Sequence, residues 1–426
     1  MEKIISLTKR RGFIYPGSEI YGGLAGTWDY GPLGLTLKNN VKNSWWKRFV
    51  EGRDDMYGID AAILMNAKVW EASGHVAGFS DPLVECKRCH RRFRADYLAE
   101  KKCPECSGEL TEEKHFNMMF KTNAGPVEDT ASKVYLRPET AQGMFVNFGN
   151  IIDSFHPKLP FGLAQVGKAF RNEITPKDFI FRAREFEQME IEYFIKPPKD
   201  EKEWRPLFDR WVKEIKQWLE SIGIKKESIH EYDVPKEDLA HYSKKTIDFQ
   251  YDYPFKRDEL LGFAYRTDFD LKAHNMIYYD EETKENFISH VFEPSFGLDR
   301  LVLALLCEAY TEDEMNGEKR VVLKFKPNIA PIKIAVFPLL KNKPELVKKA
   351  KEVFAELKKE IQPIVFDDNG NIGKRYRRQD EIGTPYCVTI DFDTLENDTV
   401  TVRDRDTGQQ ERVKIKELVS FLKNKF

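Results

Sequence analysis

Two groups of residues in this chain have the types and spacing to do chemistry. The first is a pair of short cysteine motifs, Cys86-Lys-Arg-Cys89 and Cys103-Pro-Glu-Cys106. Four thiolates on two tight turns make a closed tetrahedral site, which suits Zn²⁺ because that ion imposes no geometry of its own. A structural metal of this kind holds together a charged segment with too few apolar residues to fold alone. Two disulfides or free thiols are the competing reading, and the lack of a secretory signal counts against disulfides. His90 is expected to be a solvated neighbour. The surrounding Lys87, Arg88, Arg91, Arg92 and Arg94 could touch phosphates or could simply face water. Cys307 and Cys387 lie in apolar segments and are expected to be buried thiols.

The second group lies in FRNEITPKDFIFRAREFEQMEIEYF, residues 170–194. Strand parity sorts it into faces. Gln165, Gly167, Ala169, Arg171 and Glu173 fall on one face of an outgoing strand. Arg184, Phe186, Gln188, Glu190 and Glu192 fall on one face of the returning strand, and Met189, Ile191 and Tyr193 on the other. One side is thus small or charged, as a ligand cavity requires, and the other suits a core. A solvated hairpin would account for the charge but not for Phe186 among charges, nor for the small residues beside Arg171. A second element, HVFEPSFGLDRLVLALL, gives a strand, Gly297, and a helix with Arg300 in its first turn.

Several elements must position these groups. The chain has 426 residues, 41% hydrophobic and 32% charged, which suits a globular protein of two or three domains. Its formal net charge of -2 advertises no general affinity for nucleic acid, so any such partner must be held by local basic patches. The N-terminus has no secretory h-region and no apolar run reaches membrane-spanning length; a cytoplasmic protein with no membrane partner is expected. A glycine-rich loop, Gly22 to Gly34, precedes a helical pattern whose stripe includes Leu35, Val41, Trp45 and Phe49. Residues 196–258 shift in composition, carry an amphipathic helix from Trp204 to Leu219, and read as an insertion. KPNIAPIK, around Pro327 to Pro331, reads as a linker. Beyond it, strands and helices alternate as in a small α/β domain.

The two strand elements, in this order, resemble the second and third signatures of the class II aminoacyl-tRNA synthetases, and the N-terminal glycine loop and helix resemble the first, which forms that class's dimer interface. WDYGPLG, NAKVWEASGHVAGFSDPLVEC, LRPETAQGMFVNF, FRNEITP, YRTDFDL and EPSFGLDR together resemble the dimeric glycyl-tRNA synthetase family over nearly the whole chain. The resemblance implies a mixed α/β (α+β) protein. Residues 1–330 would form the catalytic domain, built on an antiparallel sheet, with a zinc-ribbon insertion at 84–112 and a helical insertion at 196–258 that contacts the tRNA acceptor arm. Residues 331–426 would form a mixed α/β anticodon-binding domain. It also implies a homodimer with ATP, glycine and tRNA(Gly) as substrates, Mg²⁺ with the ATP, and a structural Zn²⁺ on Cys86, Cys89, Cys103 and Cys106. Two alternatives stand beside it: a sibling synthetase for threonine, proline or histidine, and a synthetase-like nucleic-acid-binding subunit without catalysis. Glu293 and Ser295 disfavour the first, and the retained Arg171, Glu173 and Arg300 disfavour the second.

Amino-acid activation is an in-line attack of a carboxylate on the α-phosphate of ATP. The nucleophile is already ionised, so catalysis rests on positioning and on neutralising phosphate charge. By resemblance, Arg171 grips the α-phosphate, Glu173 reads the adenine amino group, and Phe186 stacks under the base. Arg300 covers the base's other face and reaches the γ-phosphate. Glu139, Glu190 and Glu293 would ring the glycine ammonium, and Arg266 would pair with its carboxylate. Glu293 and Ser295 fill positions that are glycine in the general class pattern and would shrink the pocket. Three clustered carboxylates repel one another, so before glycine binds they should be strained or partly protonated. In the C-terminal domain the basic run Lys374, Arg375, Tyr376, Arg377 and Arg378, with Arg403 and Arg405, could contact RNA or form an ordinary solvated face.

Overall fold

The alternation of apolar and polar residues along seven segments is what builds the central sheet. A computed structural model describes residues 1–127, 132–315 and 317–426. The sheet's strands are β1 (Met56–Gly58), β2 (Phe161–Phe170), β3 (Glu185–Ile195), β4 (Ile229–Asp233), β5 (Lys245–Asp252), β6 (Arg257–Thr267) and β7 (His290–Gly297). Their order across the sheet is β4-β5-β6-β7-β3-β2-β1, and every pairing is antiparallel except β2 with β1. On one face Met189, Ile191, Tyr193, Phe263, Tyr265, Phe292 and Phe296 are buried in the main core. The opposite face carries Gln188, Glu190, Glu192, Arg266, Glu293 and Ser295, as parity requires.

Helices cover the apolar face. They are α1 (Glu2–Arg11), α2 (Pro32–Trp46), α3 (Glu201–Ile222) and α4 (Leu298–Ala309). Pro32 at the first turn of α2 fits a position that needs no N–H. Its buried stripe is Leu37, Val41 and Trp45, continuing to Phe49. Leu35, expected in that stripe, is instead 49% exposed, because it sits a turn earlier on the outward side. Asp200 caps α3 by accepting from the Lys202 amide. That helix buries Trp204, Phe208, Trp211, Ile215 and Trp218 in the same core as the sheet. Residues 196–258 are therefore not a detachable insertion. They supply a core helix and two strands of the main sheet, so deleting them would expose the core and not simply remove a tRNA contact.

Beyond Pro331 a second sheet forms, from β8 (Ile334–Pro338), β9 (Ile364–Phe366), β10 (Tyr386–Ile390), β11 (Thr399–Asp404) and β12 (Gln410–Lys414). Their order is β9-β8-β10-β11-β12, parallel over the first three and antiparallel after. Helices α5 (Pro344–Glu360) and α7 (Ile415–Lys423) pack on its core, and α6 (Ile372–Ile382) carries the basic run. That run is mostly consumed by the fold. Arg375 is 1% exposed and donates to the carbonyls of Pro338, Asp368 and Gly370. Arg377 pairs with Glu318 and Arg378 with Asp367. Arg405 donates to the carbonyls of Gly383 and Phe325. Both readings offered from the sequence, RNA contact and solvated face, miss the burial of Arg375, Arg403 and Arg405. Cys387 is buried as expected, and Cys307 is partly buried against the main core.

Asp380 on α6 ties the hairpin that follows α4 to the second sheet. Its carboxylate accepts from Arg320, which stands in the hairpin following α4, at 3.1 Å and from Arg403 of β11 at 2.9 Å. All three are at most 6% exposed. Replacing Asp380 by alanine leaves two guanidiniums buried without that partner. It is expected to destabilise the chain by about 3–5 kcal/mol, measured as a lowered urea midpoint.

Candidate active site

The polar face of the central sheet holds one cavity, and it brings the second and third sequence elements together. Its walls include Arg171, Glu173, Phe186, Gln188, Ser295 and Arg300. Arg171 lies just past the end of β2. Its Nε donates to the Pro138 carbonyl at 3.1 Å, and its two terminal nitrogens have no acceptor among the described residues. The guanidinium carbon stands 5.3 Å from the ring centres of both Phe79 and Phe186. Arg300, in the first turn of α4, lies 4.5 Å over the Phe181 ring, and its Nη1 donates to the Glu259 carbonyl at 3.0 Å. Glu173 is 7% exposed, with Arg182 at 3.4 Å. Two arginines and an aromatic ring thus share a cavity open to a phosphate-bearing ligand.

The floor of the cavity leads to a cluster of carboxylates. Register pairs Gln165 with Glu190, Glu190 with Ser295, Gly262 with Ser295, and Ala264 with Glu293. Ser295 Oγ and Gln188 Nε2 donate to one oxygen of Glu190, at 2.5 and 2.7 Å. Thr140 donates to the other through both its amide and its hydroxyl. Arg266 sits at the bulge that ends β6. Its Nε and Nη2 grip Asp270 at 2.8 and 2.9 Å, and its Nη1 donates to Glu293 at 2.6 Å. The sequence reading left Arg266 free for a substrate carboxylate; the fold has already given it two protein carboxylates. Glu139 faces His75 Nε2 at 3.4 Å and accepts from Gln142.

These neighbours set the charge of each acid. Burial alone would raise the Glu139 carboxyl, but His75, Arg266 and Arg171 overcome it and hold the group well below the usual range. Glu190 is raised, by burial first and then by Glu139. Burial pushes Glu293 up to about 8, against the pull of Arg266. The repulsion expected within the cluster therefore raises Glu190 and Glu293 and not Glu139.

Several residues around the site escaped the sequence reading. Asp299, inside the quoted GLDR, accepts from Tyr30 at 2.5 Å, from Lys38 at 3.0 Å and from the Glu187 amide at 2.7 Å. Lys38 and Lys42 of α2 also pair with Glu187, at 3.0 and 3.1 Å. This network ties α2 to the start of α4, one residue before Arg300. Arg137 is 2% exposed and donates to the carbonyls of Lys168 and Ala61, both at 2.7 Å. It lies flat on Gly167, where an added Cβ would come within 2.3 Å of its Nη2. Buried lysine and arginine at helical or strand spacing were the available signals, but in a sequence they look like surface charge.

The four cysteines converge as their spacing requires. Their sulfurs lie within 4.8 Å of one another, and Cys86 and Cys103 are buried. The Cys86 sulfur accepts from the amides of Arg88 and Cys89 at 3.4 and 3.5 Å, and the Cys89 amide leads in pulling that thiol down to about 6. Four sulfurs so placed can hold a metal ion. His90 points to Glu85 and stays exposed. Lys87, Arg91, Arg92 and Arg94 pair with Glu109, Glu105, Glu85 and Asp81 respectively.

The model of the tRNA synthetase class II core domain (G, H, P, S and T) matches residues 120–310, and that of the anticodon-binding domain matches residues 333–425. A glycine–tRNA ligase of Acetivibrio thermocellus is 52% identical over an alignment spanning 100% of this chain and 98% of the relative. Glycine–tRNA ligases of Bacillus thuringiensis and Caldanaerobacter subterraneus are each 50% identical over 100% of this chain, and over 99% and 98% of their own lengths.

Gly167→Ala tests the packing beneath the cavity. The added methyl must push the Arg137 guanidinium off the strand, and the variant is expected to lose about 1–3 kcal/mol of stability. A thermal melt matching that of the unaltered protein would contradict it.

Proposed function

We propose residue roles for this chain from one premise, that it belongs to the glycine–tRNA ligase family of class II synthetases. The family reaction joins glycine to ATP as an adenylate, with loss of pyrophosphate, and then passes the glycyl group to the terminal ribose of tRNA(Gly). The observation that carries the assignment is one continuous site: an arginine-walled cavity whose floor, Gln188 and Ser295, is hydrogen-bonded directly to Glu190.

Arg171 takes the α-phosphate with its two unengaged nitrogens. There it neutralises the charge that builds on phosphorus as the glycine carboxylate attacks and pyrophosphate leaves. Glu173 accepts from the adenine amino group, Phe186 supports one face of the base, and Arg300 lies over the other with reach to the γ-phosphate. Mg²⁺ bound with the ATP would help neutralise phosphate charge and would take one or two carboxylates from the protein. Of the carboxylates lining the cavity, Glu187 and Asp299 are held by lysines and Glu173 lies against Arg182. Glu259 is 45% exposed and pairs only with Arg300, so it is the one that fits.

Glycine has no side chain to grip, so its ammonium must be held and larger residues kept out. Exclusion of a methylene is worth only about 1–3 kcal/mol. Glu139, Glu190 and Glu293 supply the cation site, and Ser295 and Glu293 occupy the space above the α-carbon. The substrate is itself a dipole. It enters between Arg266 and Glu293, with its ammonium toward the glutamate and one carboxylate oxygen toward the Nη1 that the glutamate gives up.

The four-cysteine cluster holds Zn²⁺ and fixes the small sheet around residues 80–117. Ile20 and Tyr21 are each 87% exposed and Leu24 is 61% exposed, an apolar patch at the glycine-rich loop that supports a homodimer through this region. A cytoplasmic compartment, where ATP and tRNA are both present, goes with this reading.

Glycine-dependent exchange of pyrophosphate into ATP tests the whole reading, with alanine and serine as competitors. Exchange should depend on glycine alone. Arg171→Ala should lower it by about 10²–10³-fold, and exchange driven equally by alanine would refute the pocket assignment. Elemental analysis should find one zinc per chain, lost in Cys89→Ser. Sedimentation should give a dimer that dissociates in Ile20→Asp/Leu24→Asp.

A further inference from the structure

Glu192 has no role in the reading above, yet its placement is unusual. The register that pairs Gln188 with Gly297, Met189 with Phe296 and Glu190 with Ser295 resumes at Tyr193 with Phe292. Glu192 therefore falls directly opposite Glu293 on the neighbouring strand, on the same face, where cross-strand Cβ atoms stand about 4.5–5.5 Å apart. Glu192 is 0% exposed, and neither of its carboxyl oxygens has a hydrogen-bond partner among the described residues.

Every charge packed around this pair is accounted for. Glu190 flanks Glu192 on β3. Arg266 and Asp270 approach from the end of β6 and the helix after it, and Glu139 comes from the loop before the helix at Ala141. Tyr242 lies 4.0 Å from the Arg266 guanidinium, and His274 reaches the cluster only through Gln142. Arg266 divides its donors between Asp270 and Glu293. No donor is left for Glu192. Two ionised carboxylates cannot stay buried side by side with half a guanidinium between them.

We propose that Glu192 and Glu293 hold one proton between them before substrate arrives, and that the ammonium of glycine displaces that proton to solvent. Glu192 is then a positioning residue: it keeps the pocket close to neutral until its cation is present, and leaves Glu293 fully charged afterwards. This rests on the glycine-pocket reading above. The proton leaves the carboxyl pair for the buffer, and the ammonium keeps its own. Burial, reinforced by Glu293, raises Glu192 well above the carboxylate range, and Glu293 stands at about 8, so the pair carries its proton at neutral pH. Because binding favours the deprotonated pair, glycine affinity strengthens as pH rises through neutrality.

The experiment is calorimetric titration of glycine into the intact protein at neutral pH, in two buffers of different ionisation enthalpy. The expected result is a buffer-dependent heat equivalent to release of up to one proton. In Glu192→Gln the amide keeps the size of the acid but has no proton to lose. Proton release should fall and the KM for glycine should depend less steeply on pH, because Glu293 is then the one member of the pair with a proton to lose. A buffer-independent heat in the unaltered protein overturns the proposal, as does undiminished proton release in a folded Glu192→Gln. Pyrophosphate exchange separates the two levels: no glycine-dependent exchange sinks the pocket reading, whereas exchange without proton release sinks this inference alone.

Discussion

Four carboxyl groups are buried together at one face of the central sheet, those of Glu190, Glu192 and Glu293 on its strands and that of Asp270 on the helix that follows β6. The guanidinium of Arg266 is the one cation hydrogen-bonded to any of them among the described residues. Burying like charges without full compensation works against stability, since an apolar face of the same volume would cost the fold less. The rest of the domain can be understood as what makes that concentration tolerable. The opposite face of the same strands packs Phe263, Phe292 and Phe296 against α2, α3 and α4, an aromatic core large enough to offset a strained polar face. Thr140, Ser295 and Gln188 spend their donors on Glu190 alone.

The same constraint explains why the nucleotide cavity lies where it does. Its cations must be near enough to the acids to moderate them and yet free enough to take phosphate. Arg171 meets both conditions, because its Nε is anchored on a carbonyl while its terminal nitrogens are unengaged. Arg300 is aimed from a different side, by a helix whose start is fixed through Asp299 to Lys38 and Tyr30. Burial raises the Tyr30 phenol well above its ordinary value, with Asp299 adding to it, so Tyr30 remains a donor in this network at any working pH. The glycine-rich loop and α2 therefore bear on the cavity's geometry without lining it.

Charge outside the site obeys a different rule. The sequence left the basic residues around the cysteines and on α6 open between phosphate or RNA contact and a solvated face, and most of them are paired with nearby acids or with backbone carbonyls. Arg375 pegs loops of the C-terminal sheet together, and Arg405 ties that sheet to the Phe325 carbonyl in the segment that leads into it. A guanidinium offers five donors in a fixed plane, which suits several carbonyls at once as well as it suits phosphate. Sequence alone could not distinguish the two uses.

The sequence by itself determined the two-sided strands, the cysteine cluster and the membership of Arg171, Glu173, Phe186 and Arg300 in one site. The strand faces rest on period-2 parity and the cysteines on motif spacing, both local, whereas the shared site rests on the resemblance of the two strand elements to class II signatures. It misjudged residues 196–258, because a composition shift marks a change of surface and not of connectivity, and the strands paired there are brought together from a distance. It placed Arg266 at the substrate carboxylate without its Asp270 and Glu293 contacts, which depend on a bulge at the end of one strand and the register of the next. Glu192, Arg137, Lys38 and Asp299 were unreadable for the same reason. Whether a charged side chain faces water, a partner or nothing at all is decided by what the tertiary fold packs against it, and no spacing along the chain records that.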